Sequence, residues 1–352
     1  MNDYFNNLNP DIKEYFKILS KEFPEFLVDY INTPAMQKQA GISVSCGTIY
    51  TKLFNYKYWY SSLDHSIAVA LIIWNFTKDK KQTLSGLFHD IATPAFKHAI
   101  DFMNGDYIKQ ESTEDLTTQL IRESREIMYL LNRDGIKIEE VCDYHIYPIA
   151  DNDTPQLSAD RLEYTLSNGF GVRKELFTLD DIREIYNDIV VMENEEGIEE
   201  LGFKTLNIAE KFIHNMTILA TSYIDNPTKL SMQFLADIMK KMSNLNMIKK
   251  EELYKLSEKD IIERIKKCNV KDIVKCFELW QNTTSIIESE TKINNKYGAS
   301  ITAKNRYINP LVKNSSKIVR AKDISESAKQ DIENFLNYRT TKYAYFDFEF
   351  CV

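Results

Sequence analysis

The chain has 352 residues, 27% of them charged and 43% hydrophobic, with a formal net charge of -8 at pH 7. This composition is that of an ordinary globular protein and excludes wholesale disorder, and a chain of this length is expected to form about two domains. The acidic balance argues against a protein whose main task is to wrap nucleic acid, because that task needs surplus lysine and arginine. A small basic pocket for a phosphorylated metabolite is compatible with it.

No targeting or membrane segment is predicted. The N-terminus lacks a basic stretch followed by an apolar run, and the longest apolar run, residues 67–74, is far shorter than a bilayer span. The cysteines form no C-x-x-C pair and their number is odd, which favours free thiols in a reducing compartment. We therefore expect a cytoplasmic protein that does not contact the membrane.

Apolar residues recur at spacings of three and four through most of the chain, and glycine and proline are scarce, so the predicted fold class is mainly α. Residues 61–74 are apolar on nearly all sides, which predicts a buried helix. A second apolar stretch, residues 84–91, ends in a His-Asp pair. The next predicted helix begins at Thr93 as N-cap and stops at residues 104–105. A later helix runs from Ser158 to an Asn-Gly end.

After about residue 294 the pattern becomes strand-like. Residues 300–308 favour β structure, and residues 343–350 alternate with a period of two, as a half-buried strand does. We therefore expect a helical body with a small α+β C-terminal piece. The predicted regions are a core at 1–190, a helical extension packed on it at 191–293, and the α+β region at 294–352.

Two histidines and two acids form a candidate metal site. His65 opens the first buried helix, and His89 and Asp90 stand together at the end of the second. An imidazole beside a carboxylate in such a place is costly unless something pairs with both. Taken alone, however, the pair is more often an aspartate that caps the next turn beside a core histidine. Likewise, Asp160 alone reads as a first-turn acid that complements the helix dipole.

The four residues together match a known motif in order and approximate spacing. His65, His89-Asp90 and Asp160 resemble the H…HD…D motif of the HD-domain metal-dependent phosphohydrolases. Further segments resemble the deoxynucleoside triphosphate triphosphohydrolase (dGTPase-like) branch of that superfamily, and these are residues 31–38, 89–101 and 160–164. The resemblance covers residues 31 to about 169 and is more specific for the superfamily than for a substrate.

The resemblance implies an HD-domain helical bundle, with residues 1–190 as the phosphohydrolase core. It implies hydrolysis of a phosphate ester or anhydride of a nucleotide-like small molecule by a metal-activated water. The donor types favour a divalent metal such as Mn, Fe, Co, Ni or Zn over Mg. One ion is expected, because only His98, His145 and His214 remain to supply the further ligands of a two-metal site. The implied metal ligands are His65, His89, Asp90 and Asp160.

The other implied roles concern catalysis and substrate binding. Asp101 would orient catalytic groups, and Tyr164 would face the substrate phosphate. His98 matches a histidine close to the site in that branch, with a structural hydrogen-bonding histidine as an equal alternative. The full assignment is Asp101, His98 and Glu111 for catalysis, and Tyr164, Arg161, Lys38 and Thr93 for substrate binding.

The chain departs from the branch at two catalytic histidines. One position is Thr93, which has no group that titrates near neutral pH. The other falls in residues 109–113, which contain no histidine. Glu111 or Glu114 would then serve as the acid or base, although the pattern slightly favours solvated helix charge for both.

Basic residues and two further histidines leave alternatives open. Ser62 stands where that branch has an arginine before the first histidine. Arg161, Lys38, Lys97 and Lys109 are the remaining phosphate-binding candidates, although each is more often a surface charge. His145 lies shortly before Asp160, within reach of the pocket edge, but a core or surface position is the better interpretation for it and for His214.

Other function classes are weighed against the hydrolase. The missing histidines motivate a catalytically weak HD-fold nucleotide sensor or interaction module. A nuclease acting on single-stranded ends is disfavoured by the acidic charge, and a di-iron oxygenase by the small number of histidines. Relatives in the triphosphohydrolase branch are commonly oligomeric, so a homo-oligomer is expected by analogy.

Overall fold

The computed structural model describes residues 3–107, 116–315 and 317–349. Over these residues the protein is mainly helical, as predicted. The helices up to the first strand are α1 (Asp3–Asn7), α2 (Pro10–Leu19), α3 (Glu25–Ile31), α4 (Pro34–Gln37), α5 (Ser62–Thr77), α6 (Lys80–Phe88), α7 (His98–Asn104), α8 (Thr117–Glu123), α9 (Arg125–Arg133), α10 (Ala159–Gly169) and α11 (Leu179–Asp188). The later helices are α12 (Leu206–Ile224), α13 (Asn226–Asn244), α14 (Lys250–Leu253), α15 (Glu258–Lys266), α16 (Lys271–Asn282), α17 (Ala321–Ile324) and α18 (Glu326–Asn337).

Short strands form two small sheets. The strands are β1 (Ile189–Glu193), β2 (Glu199–Phe203), β3 (Ile287–Ser289), β4 (Gly298–Ala299), β5 (Leu311–Asn314), β6 (Lys317–Arg320) and β7 (Tyr343–Tyr345). The first sheet has the order β1-β2-β5-β6, in which β2 and β5 are parallel and the other pairs antiparallel. The second is antiparallel with the order β3-β7-β4.

The buried helix predicted near residues 61–74 is α5. Ser61 and Asp64 form a reciprocal capping box at its start, which satisfies backbone N–H groups that the helix itself leaves unpaired. It packs against α6 at Gly86, where a Cβ atom would lie 2.3 Å from Ile73 Cδ1. That close approach joins α6 to the later turns of α5, and His89 at the end of α6 lies beside His65 in the first turn of α5.

The helix predicted to begin at Thr93 begins at His98 instead. The preceding residues Phe96 and Lys97 have φ values of 66° and 44°, which are not helical. The N–H of Phe96 bonds to a carboxylate oxygen of Glu258 at 3.2 Å, so the second half of the chain draws this segment away from a helical path. The predicted end is confirmed, because Gly105 caps α7 with a left-handed φ of 81°.

The C-terminal region contains both helices and strands, as predicted, but its strands lie elsewhere. Residues 300–308 form no regular secondary structure, and the period-two segment contributes only β7 (Tyr343–Tyr345). Residues 300–308 run between the two sheets, and Ala303, Lys304 and Arg306 line a cavity. No described strand pairs with residues 300–308, so the strand prediction for this segment is wrong.

Two hydrophobic cores organise the molecule. The first is built around α2, α5, α6, α10, α12 and α18. The second contains side chains of α7, α13, α15, α16 and β7. Each core joins elements that are distant in the chain, and the domain boundaries at 190 and 293 stay a prediction. Within the described residues, no helix combines the length and the apolar character that crossing a membrane requires.

Candidate metal centre and its cavity

A cavity of about 290 Å³ lies between the two cores. α10 supplies Asp160, Arg161 and Tyr164 to its wall, α5 supplies His65, and the end of α6 supplies His89. The sequence motif therefore converges on one concave site.

Three side chains form a compact donor group at this site. His65 Nε2 lies 3.1 Å from His89 Nε2 and 3.1 Å from Asp160 Oδ1, and His89 Nε2 lies 3.8 Å from the same oxygen. The three donor atoms lie within 4.8 Å of one another. Two imidazole nitrogens and one carboxylate oxygen at this spacing are able to hold a metal ion.

Helix ends fix each donor in place. His65 is in the first turn of α5, and His89 is the C-terminal cap of α6. Asp160 is in the first turn of α10, whose N-cap Ser158 accepts a hydrogen bond from the Arg161 N–H at 3.2 Å. The helix start at Ser158 predicted from the sequence is confirmed.

Both histidines are oriented through their other ring nitrogen. His89 Nδ1 donates to the Gly86 carbonyl at 2.7 Å, and His65 Nδ1 donates to the buried carboxylate of Glu163. Glu163 also accepts from the hydroxyls of Tyr60 at 2.7 Å and Tyr15 at 3.2 Å. Each Nε2 is thus left facing the cavity, an arrangement typical of metal-binding histidines. The donor set fits a divalent metal.

Glu163 was missed by the sequence interpretation, although a signal existed. It lies three residues after Asp160 on α10, so the two side chains share a helical face. A glutamate at a fully buried position needs partners, and the three donors from His65, Tyr60 and Tyr15 meet that need.

The acids control the protonation of His65. Burial lowers the pKa of His65, but the charge of Glu163 and hydrogen bonds to Asp160 and Glu163 outweigh it and raise the pKa to about 10. Burial raises the pKa of Asp160, but the hydrogen bond and charge of His65, with the charge of His89, hold it well below its usual range. The metal-free site therefore keeps an imidazolium beside carboxylates at neutral pH.

We expect a distinct pH response of the metal-free protein. A histidine in an unfolded chain has a pKa of about 6.5. The stabilisation that protonated His65 gives to the folded protein is therefore complete below that pH and is lost as the pH rises toward 10. Metal affinity should increase over the same range, because the metal needs the neutral imidazole and displaces its proton. Thermal unfolding and metal titration between pH 6 and pH 10 on chelator-treated protein measure both trends. Metal affinity that falls with pH would contradict this assignment.

Asp90, the fourth predicted ligand, is shared with a lysine. Its Oδ1 lies 3.9 Å from His89 Nε2, and its Oδ2 accepts from Lys97 Nζ at 2.5 Å and from Ser62 Oγ at 3.1 Å. Burial raises the pKa of Asp90, but the charges of Lys97, His89 and His65 hold it well below its usual value. One oxygen faces the donor group, and its assignment as a ligand stays a prediction.

Removal of Lys97 is expected to destabilise the metal-free protein more than the metal-bound protein. In Lys97→Met, the largely buried Asp90 loses its ion-pair partner, which costs about 3–5 kcal/mol. Added metal should recover much of that loss, because it supplies positive charge to the same carboxylate. Thermal unfolding with and without Mn²⁺ measures the difference, with Lys255→Met as a control on a lysine for which no ion pair is described. Equal destabilisation with and without Mn²⁺ would show that the metal does not interact with Asp90.

The structure brings His98 and Asp101 together beside the cavity. His98 Nδ1 donates to Asp101 Oδ2 at 2.9 Å, and Asp101 is fully buried while His98 lines the cavity. Burial lowers the pKa of His98, and the bond to Asp101 opposes that change only in part. His98 is therefore positioned and neutral at pH 7.

The predicted substrate-binding residues separate into two groups. Tyr164 and Arg161 line the cavity, where burial raises the pKa of Tyr164 to about 12 and Arg161 bonds to Asn152 Oδ1 at 2.5 Å. Lys38 donates to the Thr93 carbonyl at 2.6 Å, and neither residue is part of the cavity wall. Burial lowers the pKa of Lys38 to about 7.

The remaining candidates are distributed as follows. Glu111, Glu114 and Lys109 lie outside the described residues. His145 lines the cavity edge and its Nε2 lies 3.5 Å from Asp151 Oδ2, whereas His214 is an exposed partner of Asp331. Among the wall residues that the sequence interpretation missed are Arg173, Tyr223, Lys304 and Arg306. Arg173 follows the helix-ending glycine of α10, and the two basic residues of 300–308 were interpreted as part of a strand, so neither position carried a recognised motif.

Comparisons with known proteins show a shared fold. No family model matches the chain. The uncharacterized protein YdhJ of Bacillus subtilis is 22% identical over 306 residues, which are 86% of this chain and 89% of that protein. A hypothetical protein from Aquifex aeolicus has a TM-score of 0.64 at 17% identity, covering 92% of this chain and 93% of its own. A phosphohydrolase from Bacteroides thetaiotaomicron has a TM-score of 0.61 at 13% identity, covering 92% and 96%.

Proposed function

We propose that the chain is a metal-dependent phosphohydrolase of the HD-domain superfamily. The observation that carries the proposal is the donor group of His65, His89 and Asp160, whose atoms lie within 4.8 Å of one another on a cavity wall. The shared fold with the Bacteroides protein, which is named a phosphohydrolase, supports it. The H…HD…D order of His65, His89-Asp90 and Asp160 in the sequence also supports it.

The proposed reaction is hydrolysis of a phosphate ester or anhydride of a nucleotide-like small molecule. His65, His89 and Asp160, with Asp90 as the fourth ligand, would hold one divalent metal, with Mn, Fe, Co, Ni and Zn better suited to the site than Mg. When bound there, a divalent metal polarises a phosphoryl oxygen and lowers the pKa of water, which makes a nucleophile available near neutral pH. Glu163 fixes the ring of His65 for that purpose.

The other cavity residues would manage protons and phosphate. Asp101 holds the His98 ring, and a neutral His98 accepts or returns a proton at its free nitrogen. Tyr164 keeps its proton at neutral pH and donates to a phosphate oxygen, and Arg161 adds positive charge at the same wall. Binding and proton handling would thus come from α7 and α10.

The resemblance to the triphosphohydrolase branch supports a nucleotide as substrate. Thr93 supplies no acid or base in place of that branch's histidine, so the proposal gives proton handling to His98 and Asp101. We further propose that the protein acts in the cytoplasm and self-associates, and that residues 1–190 form its catalytic core.

A phosphate-release screen tests the function. Metal-free protein is refilled with Mn, Fe(II), Co, Ni, Zn or Mg and offered deoxynucleoside and ribonucleoside triphosphates, monophosphates and a generic phosphodiester. We expect turnover that depends on metal and is lost in His89→Ala. Full metal content together with full activity in His89→Ala would overturn the proposal.

The second candidate function is a nucleotide sensor or interaction module with weak catalysis. The observation that favours it is Thr93, whose carbonyl is engaged by Lys38 and whose side chain has no titrating group near neutral pH. It requires stoichiometric metal and nucleotide binding without turnover. Calorimetry beside the phosphate-release assay separates the two functions.

A further inference from the structure

The loop of residues 89–97 joins α6 to α7 and contains no regular secondary structure. It begins with His89 and Asp90 of the candidate metal centre and ends with Lys97. The lysine returns to the start of its own loop, where its Nζ donates to Asp90 Oδ2 at 2.5 Å and to Ser62 Oγ at 3.0 Å. The path of the backbone just before Lys97 therefore decides whether this side chain reaches Asp90.

That backbone path is an unfavourable one. The φ values of 66° at Phe96 and 44° at Lys97 are positive, and residues other than glycine rarely adopt such values. They persist only where the surrounding structure holds them. The Phe96 side chain is fully buried in the second core, and its ring meets Tyr50 edge-on with centroids 6.3 Å apart. A buried side chain does not by itself fix φ, so the backbone needs partners of its own.

The backbone partners come from residues 253–258, in the second half of the chain. The Ala95 N–H donates to the Leu253 carbonyl at 2.9 Å, and the Phe96 N–H donates to Glu258 Oε1 at 3.2 Å. In a continuous helix both N–H groups would instead donate to carbonyls four residues earlier. These two bonds therefore favour the turned path over a helical one.

Residues 38–41 contact both the loop and the segment that holds it. Lys38 Nζ donates to the Thr93 carbonyl at 2.6 Å. A Cβ atom at Gly41 would lie 2.7 Å from Ser257 Cβ, so this close approach depends on the glycine. The loop is thus fixed between an early and a late segment of the chain, and Glu258 supplies the side-chain contact from the late segment.

Glu258 is not needed to cap its own helix. It is the first residue of α15, whose start is already capped reciprocally by Ser257 and Asp260. Its side chain is fully buried, which is costly for a carboxyl group unless the group serves a partner. The bond to the Phe96 N–H gives it that partner.

We propose that Glu258 is a positioning residue of the metal centre, which holds the backbone at Phe96 so that Lys97 reaches Asp90. This inference rests on the proposed phosphohydrolase function, in which Asp90 is the fourth ligand. Glu258 is not part of the cavity wall and acts through Lys97. When the hold is lost, Lys97 leaves Asp90 and a positive charge leaves the donor group, so a divalent cation is repelled less.

Calorimetric titration of chelator-treated protein with Mn²⁺, well below the melting temperature, tests the inference. In Glu258→Met the Phe96 N–H loses its acceptor, and we expect Mn²⁺ to bind about tenfold more tightly, because a like charge no longer lies beside the donors. Burial raises the pKa of Glu258 to about 8, so glutamine resembles the protonated side chain. Glu258→Gln keeps an oxygen for the N–H and should bind Mn²⁺ as the unaltered protein does. Unchanged or weaker binding in folded Glu258→Met, which a purely structural role would give, overturns the inference.

A double-mutant cycle on metal-free protein separates this inference from the proposed function. Urea unfolding should show a much smaller loss of stability from Glu258→Met when Lys97→Met is already present. Additive losses overturn the inference whether or not the protein binds metal. Absence of Mn²⁺ binding to the unaltered protein overturns the proposed function instead, and the cycle then decides the inference.

Two more variants complete the design. Glu251→Met is the matched control at an exposed glutamate of the preceding helix, and it should change neither Mn²⁺ affinity nor the cycle. Glu258→Asp takes the place of Glu258→Met in both measurements if the methionine variant does not fold. Its side chain is one methylene shorter and leaves the Phe96 N–H without its acceptor, so the same direction of change is expected.

Discussion

Asp160→Asn is expected to remove the bound metal and to lower phosphate release by about a thousandfold or more, equivalent to about 4 kcal/mol of lost transition-state stabilisation. Asp160 Oδ1 faces both His65 Nε2 and His89 Nε2. An amide keeps the size of the side chain but carries no charge and binds divalent ions weakly. Metal content by elemental analysis and phosphate release by a colorimetric assay measure the two losses.

The matched control is Asp153→Asn, which alters an exposed aspartate seven positions earlier in the chain. It should keep both metal and activity. Equal behaviour of the two variants would remove Asp160 from the metal site. In metal-free Asp160→Asn, His65 should also be easier to deprotonate, because one of the two carboxylates that raise its pKa is gone.

Glu163→Gln is expected to weaken metal binding by about 10- to 100-fold, with a parallel loss of activity at limiting metal. The carboxylate accepts from His65 Nδ1 and from the hydroxyls of Tyr60 and Tyr15. A glutamine retains the bulk but presents an N–H₂ group to one of these donors. The ring of His65 then loses the partner that fixes its orientation.

Metal titration followed by a competing chelator measures this loss. Saturating metal should recover much of the activity of Glu163→Gln, whereas it should not rescue Asp160→Asn, because Glu163 does not itself face the donor group. Glu175→Gln is the control, since Glu175 forms only a surface ion pair with Lys57 at 3.4 Å. Unchanged metal affinity in Glu163→Gln would show that Glu163 has a purely structural role.

The sequence predicted the helices and the helix ends that local patterns mark. Capping residues and apolar periodicity identify the helix ends at which His65, His89 and Asp160 stand, whereas the resemblance to the H…HD…D motif marked them as metal ligands. The structure brings their donor atoms together. The helical character of the chain follows from the same periodicity. These features depend on contacts within one helix turn, which is the range over which a sequence pattern is informative.

The wall of the cavity depends on contacts that no local pattern records. From the sequence, Lys97 is interpreted as a surface or phosphate-binding charge. In the structure its backbone has a φ of 44°, and its side chain is paired with Asp90. Arg306 lies in a segment whose β propensity is overridden by its position between the two cores. Arg173 is held by Ser222 and Thr228, which belong to other elements of the fold, so no local pattern places it at the cavity. Tertiary context decided each of these positions.

The parallel pairing of β2 with β5 limits how early the first sheet can form during synthesis. Gly202 pairs with Leu311 and Phe203 with Val312, so a nascent chain cannot finish this sheet until residues beyond 312 have left the ribosome. His65, His89 and Asp160 emerge long before Lys304 and Arg306, which close the cavity. During synthesis the residues that carry the metal donors therefore leave the ribosome before two basic residues of the cavity wall, and a chain that ends before residue 300 lacks both of them.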